Sequence, residues 1–164
     1  LLHCKPGDLF VIRNVAALVP AVTQASNPCS VMSAIEYGVK HLNVEHIVVM
    51  GHSHCGGIHG LMTPESIAGE TYIQDWVSIA SPALERLQAM TGDEDEKTRS
   101  RHCEEGAVLI SLDNLLSYPW IAERVKNGQL KLHALYYDLS EGNLYRFSPD
   151  SEDFELLFHT IENP

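Results

Sequence analysis

No uninterrupted apolar run in the chain is long enough to cross a bilayer, and the first residues lack the charged-then-apolar pattern of a secretory leader. A soluble compartment, the cytoplasm or an organelle matrix, is the expectation. Positive charge is scarce: 11 Lys and Arg stand against 22 Asp and Glu, a formal net charge of -11, with no Lys/Arg cluster to follow phosphates. Neither nucleic acid nor an anionic membrane is an expected partner. Cysteine is sparse as well. Cys4, Cys29, Cys55 and Cys103 are widely scattered, in a chain large enough to build a core without disulfide staples, so reduced thiols are expected. Repeats and low-complexity tracts are absent. No Met opens the chain, which begins Leu1-Leu2-His3, so upstream residues are expected.

What is present reads as one domain over residues 1–164, since a 45% apolar composition at this length suffices for one core. Short apolar runs alternate with stretches of helical period, which predicts an α/β fold with a mostly parallel β-sheet flanked by helices. Lys5-Pro6-Gly7-Asp8 reads as a turn and Leu9-Phe10-Val11-Ile12 as a first strand. After a loop holding Pro20, Asn27 and Pro28, the residues Val31, Ile35, Gly38, Val39 and Leu42 share one helix face, which Asn43 ends. His46-Ile47-Val48-Val49-Met50 has little polar alternation, the pattern of a parallel strand covered on both faces. Ile73, Trp76, Val77, Ala80, Leu84 and Leu87 keep helical spacing, as do Val108, Leu112, Leu115 and Leu116. Between them Gly92-Asp93-Glu94-Asp95-Glu96-Lys97 reads as a solvated loop. Pro119 opens a short helix through Val125, residues 130–139 read as a strand, and Ser140-Glu141-Gly142-Asn143 turns into Leu144-Tyr145-Arg146-Phe147 to close a hairpin.

One corner concentrates chemistry. In Val48-Val49-Met50-Gly51-His52-Ser53-His54-Cys55-Gly56-Gly57 a strand gives way to a glycine-bearing turn, with His52 just past the strand's carboxyl end. Open α/β sheets place their sites there. An imidazole and a thiolate at this spacing can converge on one ion, and borderline-soft zinc suits the pair. Gly56 and Gly57 let the backbone approach closely and can start a helix whose free N–H groups face an anion. Taken alone, His52 and Cys55 read more readily as a buried thiol and a backbone-bonded histidine, because a tetrahedral site needs more ligands than these. His54 and His59 are poorly placed to join the same ion and read as surface or supporting groups.

These residues carry a resemblance. Ala34-Ile35-Glu36-Tyr37-Gly38-Val39, followed by the corner just quoted, resembles the β-class carbonic anhydrases, nearer their plant-type branch. Pro6-Gly7-Asp8-Leu9-Phe10-Val11-Ile12-Arg13-Asn14-Val15-Ala16 resembles the family segment leading into it. Ser111-Leu112-Asp113-Asn114-Leu115-Leu116-Ser117-Tyr118-Pro119-Trp120 and Leu130-Lys131-Leu132-His133 resemble its closing helix and strand. The resemblance implies that fold, zinc as cofactor, and interconversion of carbon dioxide and bicarbonate. His52 and Cys55 are then two of three protein ligands to zinc. Phe10, Val15 and Tyr37 match positions lining a small apolar substrate pocket, completed partly across a dimer interface, and Gly57 matches one whose backbone N–H faces the substrate. A homodimer or higher homo-oligomer follows. Arg13 is expected in a structural salt bridge or an interface, and His133, Tyr136 and Tyr137 in strand packing.

The chain departs from the family in one respect. The family's Cys-x-Asp-Ser-Arg motif, whose cysteine is the remaining ligand and whose Asp and Arg form a pair beside the metal, occurs nowhere in the sequence. By the family's spacing it falls before Leu1. The expectation is an N-terminally incomplete domain, short of its first central strand, whose activity on its own is in doubt. Cys4 precedes a turn and is a poor substitute. Two other readings stand beside the enzyme: a non-catalytic remnant of the fold that dimerises or docks a partner, and a thiol-based redox sensor in which His52 activates Cys55.

Overall fold

A computed structural model describes residues 4–25, 29–90, 92 and 94–159. The opening Leu1-Leu2-His3, the loop residues Asn27 and Pro28, and Asp93 of the acidic stretch lie outside the described residues.

Local chemistry sets the elements. Helix α1 (Ser30–Lys40) buries Val31, Met32, Ile35, Gly38 and Val39, the stripe its periodicity predicts. Leu42 lies beyond its end and is exposed, and Asn43 takes a left-handed φ of 52° where the chain turns away. Strand β1 (His46–His52) leads into α2 (Gly56–Met62). The apolar period over Ile73 to Leu87 belongs to two helices, α3 (Thr71–Val77) and α4 (Ser81–Ala89), joined by a 3-10 turn over Ser78–Ala80. Pro82 sits in the first turn of α4, and its ring and missing N–H bar a helix from running straight through. Helix α5 (Glu96–Leu116) starts earlier than expected. Asp95 caps it by accepting the Thr98 N–H at 2.7 Å, so Glu96 and Lys97 are helical rather than part of the solvated loop. Helix α6 (Pro119–Lys126) opens on its proline and is followed by Gly128 at φ 71°.

The sheet is completed by β2 (Lys131–Asp138), β3 (Asn143–Ser148) and β4 (Asp153–His159), in the spatial order β1-β2-β3-β4. β1 and β2 are parallel, with Val48 opposite His133 and His52 opposite Tyr137. The helices α2 to α6 form the crossover such a pair requires. The α/β architecture is the expected one, but the sheet is not mostly parallel among the described residues: β2/β3 and β3/β4 are antiparallel. The turn after Asp138 is too short for a crossover and can only return the chain antiparallel. β4 extends the closing hairpin by a strand the sequence reading missed.

Two further expectations are corrected. Residues 9–12 form no strand and join no ladder, and Leu9, Phe10, Val11 and Ile12 are all exposed. β1 is covered on one face only: Val49 and Gly51 point inward, while Val48 and Met50 are 49% and 38% exposed.

Helix α5 is the spine, packing on α4 at one side and on β1 and β2 at the other. One core cluster joins α1, α5 and α6 to the sheet through Val39, Val49, Val108, Leu115, Ile121 and Tyr136. A second joins α2, α3, α4 and α5 through Cys55, Ile58, Val77, Leu87, Cys103 and Ala107. Cys55 therefore sits where strand end, helix start and core meet. At the opposite end of the sheet His133 pairs with His46, ring nitrogens 2.9 Å apart, which is the packing role expected of it.

Candidate metal centre and substrate pocket

β1 delivers His52 to the end of the sheet, and the turn Ser53-His54-Cys55 then passes into α2. Ser53 ties this turn to β2 twice: its N–H donates to the Tyr137 carbonyl at 2.9 Å, and its Oγ accepts the Leu139 N–H at 2.8 Å. His54 takes a left-handed φ of 57°, which lets the chain reverse, and its Nε2 meets Ser140 Oγ at 3.0 Å. Cys55 is buried at 6% exposure, and its N–H donates to Glu104 Oε1 at 2.9 Å.

The donor chemistry of His52 suits a metal. Its Nδ1 lies 2.9 Å from the Ser53 carbonyl oxygen, which can only accept, so Nδ1 is the donor and Nε2 is the ring nitrogen left to meet a metal. Fixing the tautomer through a backbone carbonyl is how metal-bound histidines are commonly held. An imidazole nitrogen and a thiol three residues on are donors that zinc accepts. The residues fit zinc in kind, but not in number. Among the described residues no group of three or more His, Cys, Asp or Glu stands where it could hold one ion, so His54, His59 and Cys4 do not complete the set.

The residues expected to line a substrate pocket come together as two pairs. Phe10 and Tyr37 lie with ring centroids 6.1 Å apart, and Tyr37 stacks in turn on His41 at 5.1 Å. Val15 lies against Gly57: a Cβ on that glycine would stand 2.7 Å from Val15 Cγ1 and 3.1 Å from Ala16 Cβ, so only glycine allows the approach. The Val15 segment is held firmly. Ala16 and Ala17 both have positive φ, in a turn clamped by Asn14, whose side chain accepts the Leu18 N–H at 2.9 Å and donates to the Leu18 carbonyl at 3.0 Å. Trp76 Nε1 donates to the Val15 carbonyl at 2.8 Å from the other side. Phe10, Val15 and Tyr37 are each about half exposed, at 47%, 46% and 51%. Arg13 makes no ion pair among the described residues, so its expected structural salt bridge is not found there.

Behind the turn lies a cleft of about 920 Å³ whose lining includes His54, Cys55, His59, Arg101, Glu104 and Asp138. Burial draws the Asp138 carboxyl up, but the N–H groups of Glu141 and Ser140 outweigh it and hold the group below its ordinary range. Glu105 is shifted the other way by burial, against the opposing pull of Arg101 at 2.8 Å. Burial and the neighbouring Glu104 push the Tyr136 hydroxyl above the usual phenol range, and that hydroxyl donates to Glu104 Oε2 at 2.7 Å.

The link from Cys55 to Glu104 and Tyr136 went unseen in the sequence. One signal was there. Glu104 falls on the stripe Glu104, Val108, Ser111 and Leu115 that α5 turns to the core, a carboxylate where the period calls for an apolar residue.

Comparison with known proteins is consistent with this geometry. The family model described as carbonic anhydrase matches residues 1–144. The chain is 38% identical over 151 residues to the chloroplastic β carbonic anhydrase 5 of Arabidopsis thaliana, covering 92% of this chain and 50% of that protein. Among solved structures, the β-carbonic anhydrase CcaA superposes with a TM-score of 0.86 at 29% identity, over 93% of this chain and 73% of that one. A structure from a study of two tetrameric β-carbonic anhydrases of the filamentous ascomycete Sordaria macrospora gives 0.67 at 30% identity, over 93% and 70%. The chain spans about half the length of the curated relatives it matches, 50% to 56%. With matched segments running through the extended arm, the His52–Cys55 corner and the closing helix and strand, the chain belongs to the β-carbonic anhydrase family.

Proposed function

We propose that the protein containing this chain catalyses the reversible hydration of carbon dioxide to bicarbonate and a proton, with zinc held in part by His52 and Cys55. The observation that carries this reading is His52, its Nδ1 held 2.9 Å from the Ser53 carbonyl oxygen, at the end of β1 and three residues before the buried Cys55. When bound, zinc supplies a water acidic enough to lose its proton near neutral pH. The chain's own residues do the rest of what is proposed here. Phe10, Val15 and Tyr37 offer apolar surface suited to a neutral, linear substrate, and Gly57, which packs against Val15 where a side chain would collide, is assigned the backbone N–H that faces the substrate. The third protein ligand and the Asp–Arg pair belong to the Cys-x-Asp-Ser-Arg motif that these residues do not contain. The activity is therefore assigned to the parent protein.

A homo-oligomer belongs to the same reading. Pocket residues left about half exposed in one copy call for cover, and closed symmetric assembly is the common way to supply it. A soluble compartment, cytoplasm or organelle matrix, is part of the proposal; among the described residues no helix is long and apolar enough to cross a membrane. The redox-sensor alternative needs an accessible thiolate, and the burial of Cys55 counts against it.

The test is Cys55→Ser in the parent protein, with zinc content and carbon dioxide hydration measured together. Serine is a poor zinc ligand at neutral pH, so most metal and most activity are expected to go. Unchanged zinc stoichiometry would remove Cys55 from the ligand set.

A further inference from the structure

Glu104 is 5% exposed, and no cation pairs with it among the described residues; the adjacent Arg101 goes to Glu105 at 2.8 Å. A buried carboxylate so placed needs hydrogen bonds to offset its desolvation. It has two, from the Cys55 N–H at 2.9 Å and the Tyr136 hydroxyl at 2.7 Å. These bonds join three elements. Glu104 lies on α5, Tyr136 on β2, and Cys55 at the start of α2. The turn before Cys55 contains His54 in a left-handed conformation that a side-chain-bearing residue holds only when its surroundings impose it. Ser53 anchors the near end of that turn to β2. At the far end the Cys55 N–H is the anchor, and its acceptor is Glu104. Fixing that N–H fixes the peptide plane from which the Cys55 side chain departs.

We propose that Glu104 is the positioning residue for the Cys55 thiol, holding it through its peptide N–H, with Tyr136 steadying the carboxylate from β2. This rests on the reading of Cys55 as a metal ligand, and it adds a supporting group that touches neither the metal nor the substrate.

The experiment compares Glu104→Ala, Glu104→Gln and Tyr136→Phe with the unaltered full chain. The first readout is alkylation of the Cys55 thiol, with the exposed Cys4, remote in sequence from Glu104, as the internal standard. The second is titration with cadmium, followed by its thiolate charge-transfer absorption. Glu104→Gln keeps an oxygen to accept the Cys55 N–H and is expected to match the unaltered chain in both. Glu104→Ala removes the acceptor; alkylation of Cys55 is expected to quicken about tenfold, as loss of one hydrogen bond of ordinary strength implies. Cadmium affinity is expected to fall roughly 10- to 100-fold, the usual effect of losing a group that orients a ligand. Tyr136→Phe is expected to move both readouts in the same direction by less, and it decides the matter if Glu104→Ala fails to fold. A lower melting temperature in Glu104→Ala with unchanged alkylation and cadmium binding would reduce Glu104 to a packing residue and overturn the proposal. If Cys55→Ser binds cadmium as tightly as the unaltered chain, the ligand reading fails instead, and alkylation alone decides whether Glu104 positions the thiol.

Discussion

Gly57 shows how much can rest on the absence of one methyl group. A Cβ there would lie 2.7 Å from Val15 Cγ1 and 3.1 Å from Ala16 Cβ, and that neighbour is no free side chain end. It belongs to a turn with two positive-φ alanines, locked by Asn14 and Trp76. Gly57→Ala is therefore expected to destabilise the fold by about 1–3 kcal/mol through overpacking, measurable by urea unfolding. Adding Val15→Ala should recover part of the loss, because the two sites share one contact. Strict additivity of the two changes would mean that the Val15 wall yields and does not define a pocket. The same scale explains what the sequence could and could not disclose. His52, Cys55 and Gly57 were legible because they stand within one short turn, where spacing along the chain is nearly distance in space. Glu104 lies 49 positions from Cys55, so the bond between them exists only once α5 has packed against the end of β1.

Among the elements, α5 carries the most of the fold and was read least completely. Its apolar half, from Val108 onward, keeps a clear helical period, whereas Glu96 and Lys97 continue the charged stretch that reads as loop; a single cap, Asp95, decides that they are helical. The paired α3 and α4 show the converse, where one unbroken period was cut by Pro82. β1 read as covered on both faces because an apolar run does not say which of its faces will find a neighbour. Packing of α5 against α4 also predicts a pH dependence. Burial, with the Glu104 charge adding, pushes the Cys103 thiol from its ordinary 9.0 up to about 11. The folded chain thus keeps a proton that the unfolded chain releases. The Cys103 contribution is fully present below about pH 9 and is lost as pH rises toward about 11, roughly 3 kcal/mol over that window. Urea midpoints measured across it should fall for the wild type. In Cys103→Ala the fall should be shallower, with the remainder coming from Tyr136, which is shifted in the same direction. Parallel curves for the two proteins would mean that the thiol ionises no differently in the two states.

At the scale of the molecule, β1 is an edge strand with exposed apolar residues on one face. β1 is last in the strand order, so its outer N–H and C=O groups face no ladder partner among the described residues. Val48 and Met50 on its uncovered face are 49% and 38% exposed, and Leu9, Phe10, Val11 and Ile12, which join no strand, are 36% to 65% exposed. The family's Cys-x-Asp-Ser-Arg strand carries a metal ligand, and β1, which carries His52, has an edge free to pair. On the proposed zinc reading, metal binding and completion of the sheet are expected to go together. Residues 1–164 expressed alone are expected to hold zinc weakly, because His52 and Cys55 leave the remaining tetrahedral positions to water, and to hydrate carbon dioxide at no measurable rate. Fusing the family segment ahead of Leu1 is expected to raise zinc affinity, activity and melting temperature together. A gain in melting temperature without zinc would separate the two effects and show that the edge needs cover but the ligands do not converge. The measurement is stopped-flow hydration with zinc content determined on the same samples. Stoichiometric zinc and robust turnover by residues 1–164 alone would overturn the ligand count, and Cys4→Ser would be the first variant to make, since Cys4 is exposed and lies ahead of the extended arm that leads to Phe10.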